Sequence, residues 1–125
     1  MEIKLTHEES EEYFLNALCN GLSEFYAHGF ELDWRSADAD KARVKLKNPT
    51  YEDVLMQILK DGGKLTMVDE EYDGDYTKSI RLADVHERVQ QTPSDWLIQM
   101  AEGNDDAYTS DAILQTVFFK EIIFG

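Results

Sequence analysis

Between Thr6 and His28 apolar residues recur at the period of an α-helix, and this is the longest stretch of the chain given over to one pattern. Thr6 followed three positions later by Glu9 is a capping box, in which each side chain satisfies the other residue's backbone N–H and so opens the helix. Phe14, Ala17, Leu18, Gly21, Leu22 and Phe25 then share one face, while Glu9, Glu12, Asn16 and Ser23 occupy the opposite one. Gly29 is placed to close the C-terminus, and Asn20 with Gly21 is the weak point of the run.

The next segment changes period. Phe30, Leu32 and Trp34 alternate with Glu31 and Asp33, which predicts a half-buried strand, and Ser36 to Asp40 reads as a polar connection. Ala42, Val44 and Leu46 alternate with Lys41, Arg43, Lys45 and Lys47, which predicts a second strand with a cationic face. Asn48 and Pro49 end it, Thr50 caps, and Tyr51, Val54, Leu55, Ile58 and Leu59 mark a short helix closed by Gly62 and Gly63. Lys64 to Asp69 predicts a strand with Leu65 and Met67 inward and Val68 as a further inward candidate. Tyr76 to Leu82 predicts its partner with Ile80 and Leu82 inward, and an acidic hairpin loop joins the two. Ala83 to Gln91 reads as helix, Thr92 and Pro93 as the cap and first residue of another ending near Gly103, and Tyr108 to Phe119 as the last. That helix and the tail Ile122, Ile123 and Phe124 are apolar on more than one side, which predicts a C-terminus docked in the core. The sum is one α+β domain over residues 1–125, with a small antiparallel sheet including a hairpin at about 64–82, packed with four to five helices.

Charge narrows the partners. The chain's 125 residues include 26 acidic and 12 basic ones, for a net charge of −14, and the basic residues are concentrated between 41 and 64. Phosphate backbones and anionic lipid repel such a body, so direct nucleic-acid or membrane binding is not expected. A hairpin followed by helices invites comparison with a winged helix, but the acidic balance of residues 65–125 opposes contact with phosphates. The single Cys19 excludes an intramolecular disulfide, no apolar run approaches 18 residues, and Met1 to Leu5 lack the pattern of a signal peptide. A cytoplasmic location is the expectation.

No motif carries catalysis. Asp69, Glu71, Asp73, Gly74 and Asp75 imitate the first half of a calcium loop, but Ile80 stands where its bidentate Glu belongs. His7, His28 and His86 lack metal-ligand spacing, and His86-Glu87 is not followed by a second His. Cys19, close to the apolar face and without a basic sequence neighbour, reads as a buried, inert thiol. Glycine-rich phosphate loops and nucleophile elbows are absent from the sequence, so no enzyme, metal or cofactor is expected.

What remains is carboxylate density: Glu8, Glu9 and Glu12 at a helix start, Asp69, Glu70, Glu71, Asp73 and Asp75 in the hairpin, and Asp105, Asp106 and Asp111 at the last helix. Carboxylates on a rigid scaffold can take the positions of nucleic-acid phosphates and engage a basic groove. The same residues also serve helix dipoles and solubility. The stretch Tyr51-Glu-Asp-Val-Leu-Met-Gln-Ile-Leu, the segment Lys64-Leu-Thr-Met-Val-Asp-Glu-Glu and the ending Asp111 to Gly125 resemble small acidic proteins of phages, prophages and integrative elements of gut bacteria. That resemblance implies a genomic setting in which such proteins often inhibit host defence, as anti-CRISPR and anti-restriction proteins do, some of them by mimicking DNA. The expectation is therefore a non-enzymatic inhibitor whose partner is a basic, nucleic-acid-binding host protein, contacted through Glu8, Glu9, Glu12, Asp69, Glu70, Glu71, Asp73 and Asp75. One alternative is an accessory protein that self-associates, as a homo-oligomer, or assembles with another element-encoded protein through Trp96 or the apolar tail. Another is a binder of a small anion through Lys41, Arg43, Lys45 and Lys47.

Overall fold

The computed structural model describes residues 3–33 and 36–124. Trp34, read above as the third inward position of the first strand, lies outside the described residues, as do Met1 and Glu2. The elements run α1 (His7–Ala27), β1 (Phe30–Leu32), α2 (Ala37–Lys45), α3 (Tyr51–Lys60), β2 (Leu65–Asp69), β3 (Lys78–Ile80), α4 (Leu82–Arg88), a 3-10 turn (Val89–Gln91), α5 (Ser94–Ala101) and α6 (Ala107–Phe119). Among the described residues this is an α+β domain of six α-helices packed with a three-stranded antiparallel sheet of order β1-β2-β3.

The Thr6–Glu9 capping box opens α1, and Phe14, Ala17, Leu18, Gly21, Leu22 and Phe25 are all buried. The helix passes through Asn20 and Gly21 without a break. A side chain at 21 would stand 2.6 Å from Ser110 Cβ, so the glycine lets α1 and α6 approach closely. The two helices form the most extensive element pair of the fold. α6 is buried continuously from Thr109 to Phe118, which explains why its sequence is apolar on several sides.

The segment from 36 to 45 corrects the sequence reading. It is neither a polar connection nor a strand. The Ser36 hydroxyl accepts from Ala39 N–H and caps a helix, Asp38 and Asp40 sit in its first turn and Arg43 and Lys45 in its last, as the helix dipole favours. Ala39 and Ala42 face the core three residues apart, whereas Val44, expected inward, is 86% exposed. The Thr50–Asp53 capping box opens α3, whose Val54, Leu55, Ile58 and Leu59 are buried as expected.

In the sheet Phe30 pairs with Asp69, Leu32 with Met67, and Leu65 with Ile80. The alternation in β2 places Leu65 and Met67 inward. The third strand is shorter than expected because Leu82 begins α4 instead of extending the sheet, with Asp84 accepting from Arg81 N–H at the turn. Pro93 occupies the cap position of α5, one residue later than read from the sequence.

The C-terminus is docked through side-chain and backbone contacts together. Phe124 packs at 5.1–5.8 Å between ring centroids against His28, Phe30, Tyr72 and Tyr76. Buried Gln115 accepts from the N–H groups of Ile123 (2.9 Å) and Phe124 (2.8 Å) and donates to the Phe124 carbonyl (2.9 Å). Ile122 stays 38% exposed.

Candidate functional site: an acidic track along the first helix

The expected contact residues divide into those that build and those that face solvent. Glu9 is exposed, but its carboxylate accepts from Thr6 N–H at 3.0 Å and holds the α1 cap. Asp69 is buried, a correction to its reading as a contact carboxylate. Its Oδ1 accepts from Glu71 N–H (2.9 Å) and Tyr72 N–H (2.7 Å), and Oδ2 from Tyr76 N–H (3.1 Å). Burial alone raises its pKa, but the amides of Tyr72, Glu71 and Tyr76 outweigh that and hold the carboxyl below its ordinary range. Asp69 is thus the positioning residue of the hairpin. It fixes a tip in which Glu70, Glu71, Asp73 and Asp75 are exposed, with the turn made by Asp73 and Gly74 at φ of 56° and 80°.

The third cluster is a surface only in part: Asp105 is half-buried and Asp106 exposed, but Asp111 is not. Asp106 caps α6, accepting from Thr109 N–H, and Asp111 is buried, with Oδ2 facing His28 Nε2 (3.0 Å) and accepting from Gln115 (2.8 Å). Of the other imidazoles, His7 and His86 stack at 3.9 Å between centroids, and His86 Nε2 lies 2.9 Å from Glu11. Among the described residues no group of three or more His, Cys, Asp or Glu is placed to hold a metal, and no helix is long and apolar enough to cross a membrane.

Between the two remaining clusters lie carboxylates that the sequence reading passed over. At the start of α1, Glu8, Glu11 and Glu12 share a groove with Asp53 of α3, floored by Leu15, Leu46 and Met56 and bordered by Lys60. Further along, Glu52 and Asp53 act on Cys19. Cys19 is exposed, contrary to expectation, and its thiol is pushed up first by partial desolvation and then by those two carboxylates. It is accordingly a poor nucleophile at neutral pH. Beyond it, Tyr26 Oη donates to Tyr51 Oη at 3.1 Å. Desolvation raises both phenols, and Glu31 and Glu52 add to the effect. The Glu71 side chain lies against Gly29, two residues before Glu31.

These neighbours trace a line: Glu8 and Glu12, then Asp53, Glu52, Glu31 and finally the hairpin tip. The line follows α1, roughly 30 Å at about 1.5 Å per residue. Among the described residues none of these carboxylates is ion-paired to a lysine or arginine, whereas Asp40, Asp61 and Asp84 are. Glu52 and Asp53 were legible as the acidic start of a capped helix, and Glu31 as the outward residue of a strand. Their alignment depends on α1, α3 and β1 packing side by side.

The cations are rearranged by the helix. Lys41 and Lys45 lie one turn apart on α2, Arg43 pairs with Asp40 at 2.8 Å on a different side, and Lys47 falls beyond the helix end. The four therefore do not form one face. The accessory alternative finds its apolar tail largely engaged by Gln115, with Trp96 half-buried on α5.

No protein-family model matches the chain, and no similar curated protein or solved structure is found.

Proposed function

We propose that this chain is a non-enzymatic inhibitor, encoded by a phage or mobile element, that engages a basic nucleic-acid-handling protein of a bacterial host through a DNA-mimic-like acidic surface. An anti-CRISPR activity is one concrete form of that role. The observation that supports it is the track of carboxylates along α1, none of them ion-paired to a lysine or arginine among the described residues. A DNA strand advances about 3.4 Å per phosphate, so a track of roughly 30 Å covers about nine phosphate positions. Carboxylates carried on a folded scaffold offer Arg and Lys charge-assisted hydrogen bonds and steer encounter from a distance.

Affinity capture from nuclease-treated bacterial lysate, at about 0.1 M and about 1 M salt, tests the reading, since screening shortens from about 10 Å to about 3 Å across that range. A nucleic-acid-binding protein retained at low salt and released at high salt is expected. Two charge-reversed variants, E8K/E12K/E52K and E70K/E71K/D75K, leave the structural Glu9 and Asp69 in place and should each weaken capture. Equal retention by both variants, or recovery only of the chain itself in a salt-resistant form, overturns the proposal. The second result would favour self-assembly through apolar surface.

A further inference from the structure

At the C-terminal end of α3 a groove of about 770 Å³ opens against α2, the Gly62–Gly63 turn and the junction of β3 with α4. It collects Lys41, Lys45, Lys64 and Arg81, cations from three parts of the chain, in a protein whose net charge is −14. Two of them are held in position: Lys45 Nζ lies 2.9 Å from Asp61 Oδ1, and Arg81 donates to the Gly62 carbonyl at 2.7 Å. The ammonium groups of Lys41 and Lys64 make no ion pair among the described residues. Against these four cations the groove sets the carboxylates Asp38 and Asp61, which leaves a local excess of two positive charges. Asp61 is engaged by Lys45 and Gln57 and held below its ordinary pKa by them. Asp38 uses Oδ2 for the Lys64 N–H, and its Oδ1 accepts no hydrogen bond among the described residues. The exposed Val44 supplies an apolar part of the wall, while the Ile58 side chain is buried beneath it.

This combination selects its ligand by chemistry. The excess charge and the fork of Arg81 suit phosphoryl oxygens, the apolar wall suits a flat or aliphatic organic part, and Asp38 Oδ1 suits a hydroxyl or amino donor on it. The volume lies within the range of small-molecule sites, about 300–1,000 Å³. We propose that this groove binds a nucleotide-sized phosphorylated small molecule, with Lys41 and Lys64 closing on the phosphates. The site is independent of the acidic track.

Titration of the isotopically labelled full chain with ATP, pyrophosphate and adenosine, read by amide chemical shifts, tests this. ATP and pyrophosphate should each give saturable shifts at Gly62, Gly63, Lys64 and residues 41–45, and K41E/K64E should weaken both by at least about tenfold, about 1.4 kcal/mol. Tighter binding of ATP than of pyrophosphate is expected and supports a nucleotide-like ligand, whereas equal or weaker binding of ATP overturns it, because phosphate groups alone then account for the site. Absence of saturable shifts at millimolar ATP and pyrophosphate, adenosine binding as tightly as ATP, or unchanged affinity in a folded K41E/K64E chain overturns it.

Discussion

Replacing Gly21 by alanine sets two effects of opposite sign against each other. In a helix interior the change ordinarily stabilises by about 1 kcal/mol. Here the new Cβ would meet Ser110 Cβ at 2.6 Å and the Ser110 carbonyl carbon and Asp111 nitrogen at 3.0 Å. Carbon atoms rest about 3.5–4.0 Å apart, so α1 and α6 would have to separate by about 1 Å. The obstructing atoms are the root of one side chain and the backbone of a buried helix, and none can rotate away. Overpacking costs about 1–3 kcal/mol, and the rigidity of these atoms places this site in the upper half of that range. The net expectation is a loss of about 1–2 kcal/mol. Asn20→Ala, on the exposed side of the same helix, has the propensity gain without the clash and should stabilise by about 0.5 kcal/mol. Urea unfolding followed by far-ultraviolet circular dichroism reads both changes. With a slope near 2 kcal/mol/M, the midpoint of G21A falls by about 0.5–1 M and that of N20A rises by about 0.3 M. An unchanged or raised midpoint for G21A would refute the close crossing of α1 and α6.

Asp69→Ala should speed hydrogen exchange at Glu71, Tyr72 and Tyr76 together, and Asp69→Asn should keep part of the protection because one oxygen remains; uniform protection in the alanine variant would contradict the loop's anchoring. Stability should fall with acid: Asp61, Asp69 and Asp106 all have folded pKa values below their ordinary ones, so their contribution is full above about pH 4 and lost as pH drops through the lower folded values, which thermal melts across that range would record. Gln115→Leu removes the acceptor for two tail amides and should cost about 1–3 kcal/mol while raising exchange at Ile123 and Phe124; if both amides stay protected, the tail is held by its aromatic contacts alone. The Tyr26 and Tyr51 phenols should ionise only above the usual tyrosine range near pH 10, which absorbance titration at alkaline pH would show, with Tyr26→Phe reducing the number of late-titrating groups.

The elements legible in the sequence were those in which two independent signals agreed. α1 and α3 combine a capping box with 3.6-residue periodicity, and the hairpin combines alternating apolar residues with a turn of Asp and Gly. α2 was misread because Ala42, Val44 and Leu46 alternate as a strand does, while its only buried residues are two alanines that give little amphipathic contrast. The deciding signal was Ser36 followed by acidic residues and then basic ones, a pattern set by the helix dipole. Cys19 follows buried Leu18 by one step of about 100° around the helix, enough to carry it to the surface. Carboxylates posed the harder problem. Asp69 and Asp111 have the same side chain as Asp73, and what distinguishes them is three loop amides in one case and a histidine distant in sequence in the other. The acidic track was half visible for the same reason: its ends are runs in sequence, and its middle is created by packing.

The pairing of α1 with α6 also sets a timetable for synthesis. The residues that meet at Gly21 and Ser110 are separated by roughly 90 positions, and at about 5–20 residues per second the ribosome needs roughly 5–20 s to make the second after the first. Throughout that interval Phe14, Leu18, Leu22 and Phe25 form an oily stripe without the helix that covers them in the finished fold. Until α6 emerges the apolar face of α1 lacks that cover, so a chain shortened before α6 is expected to lose the domain instead of leaving a folded remnant.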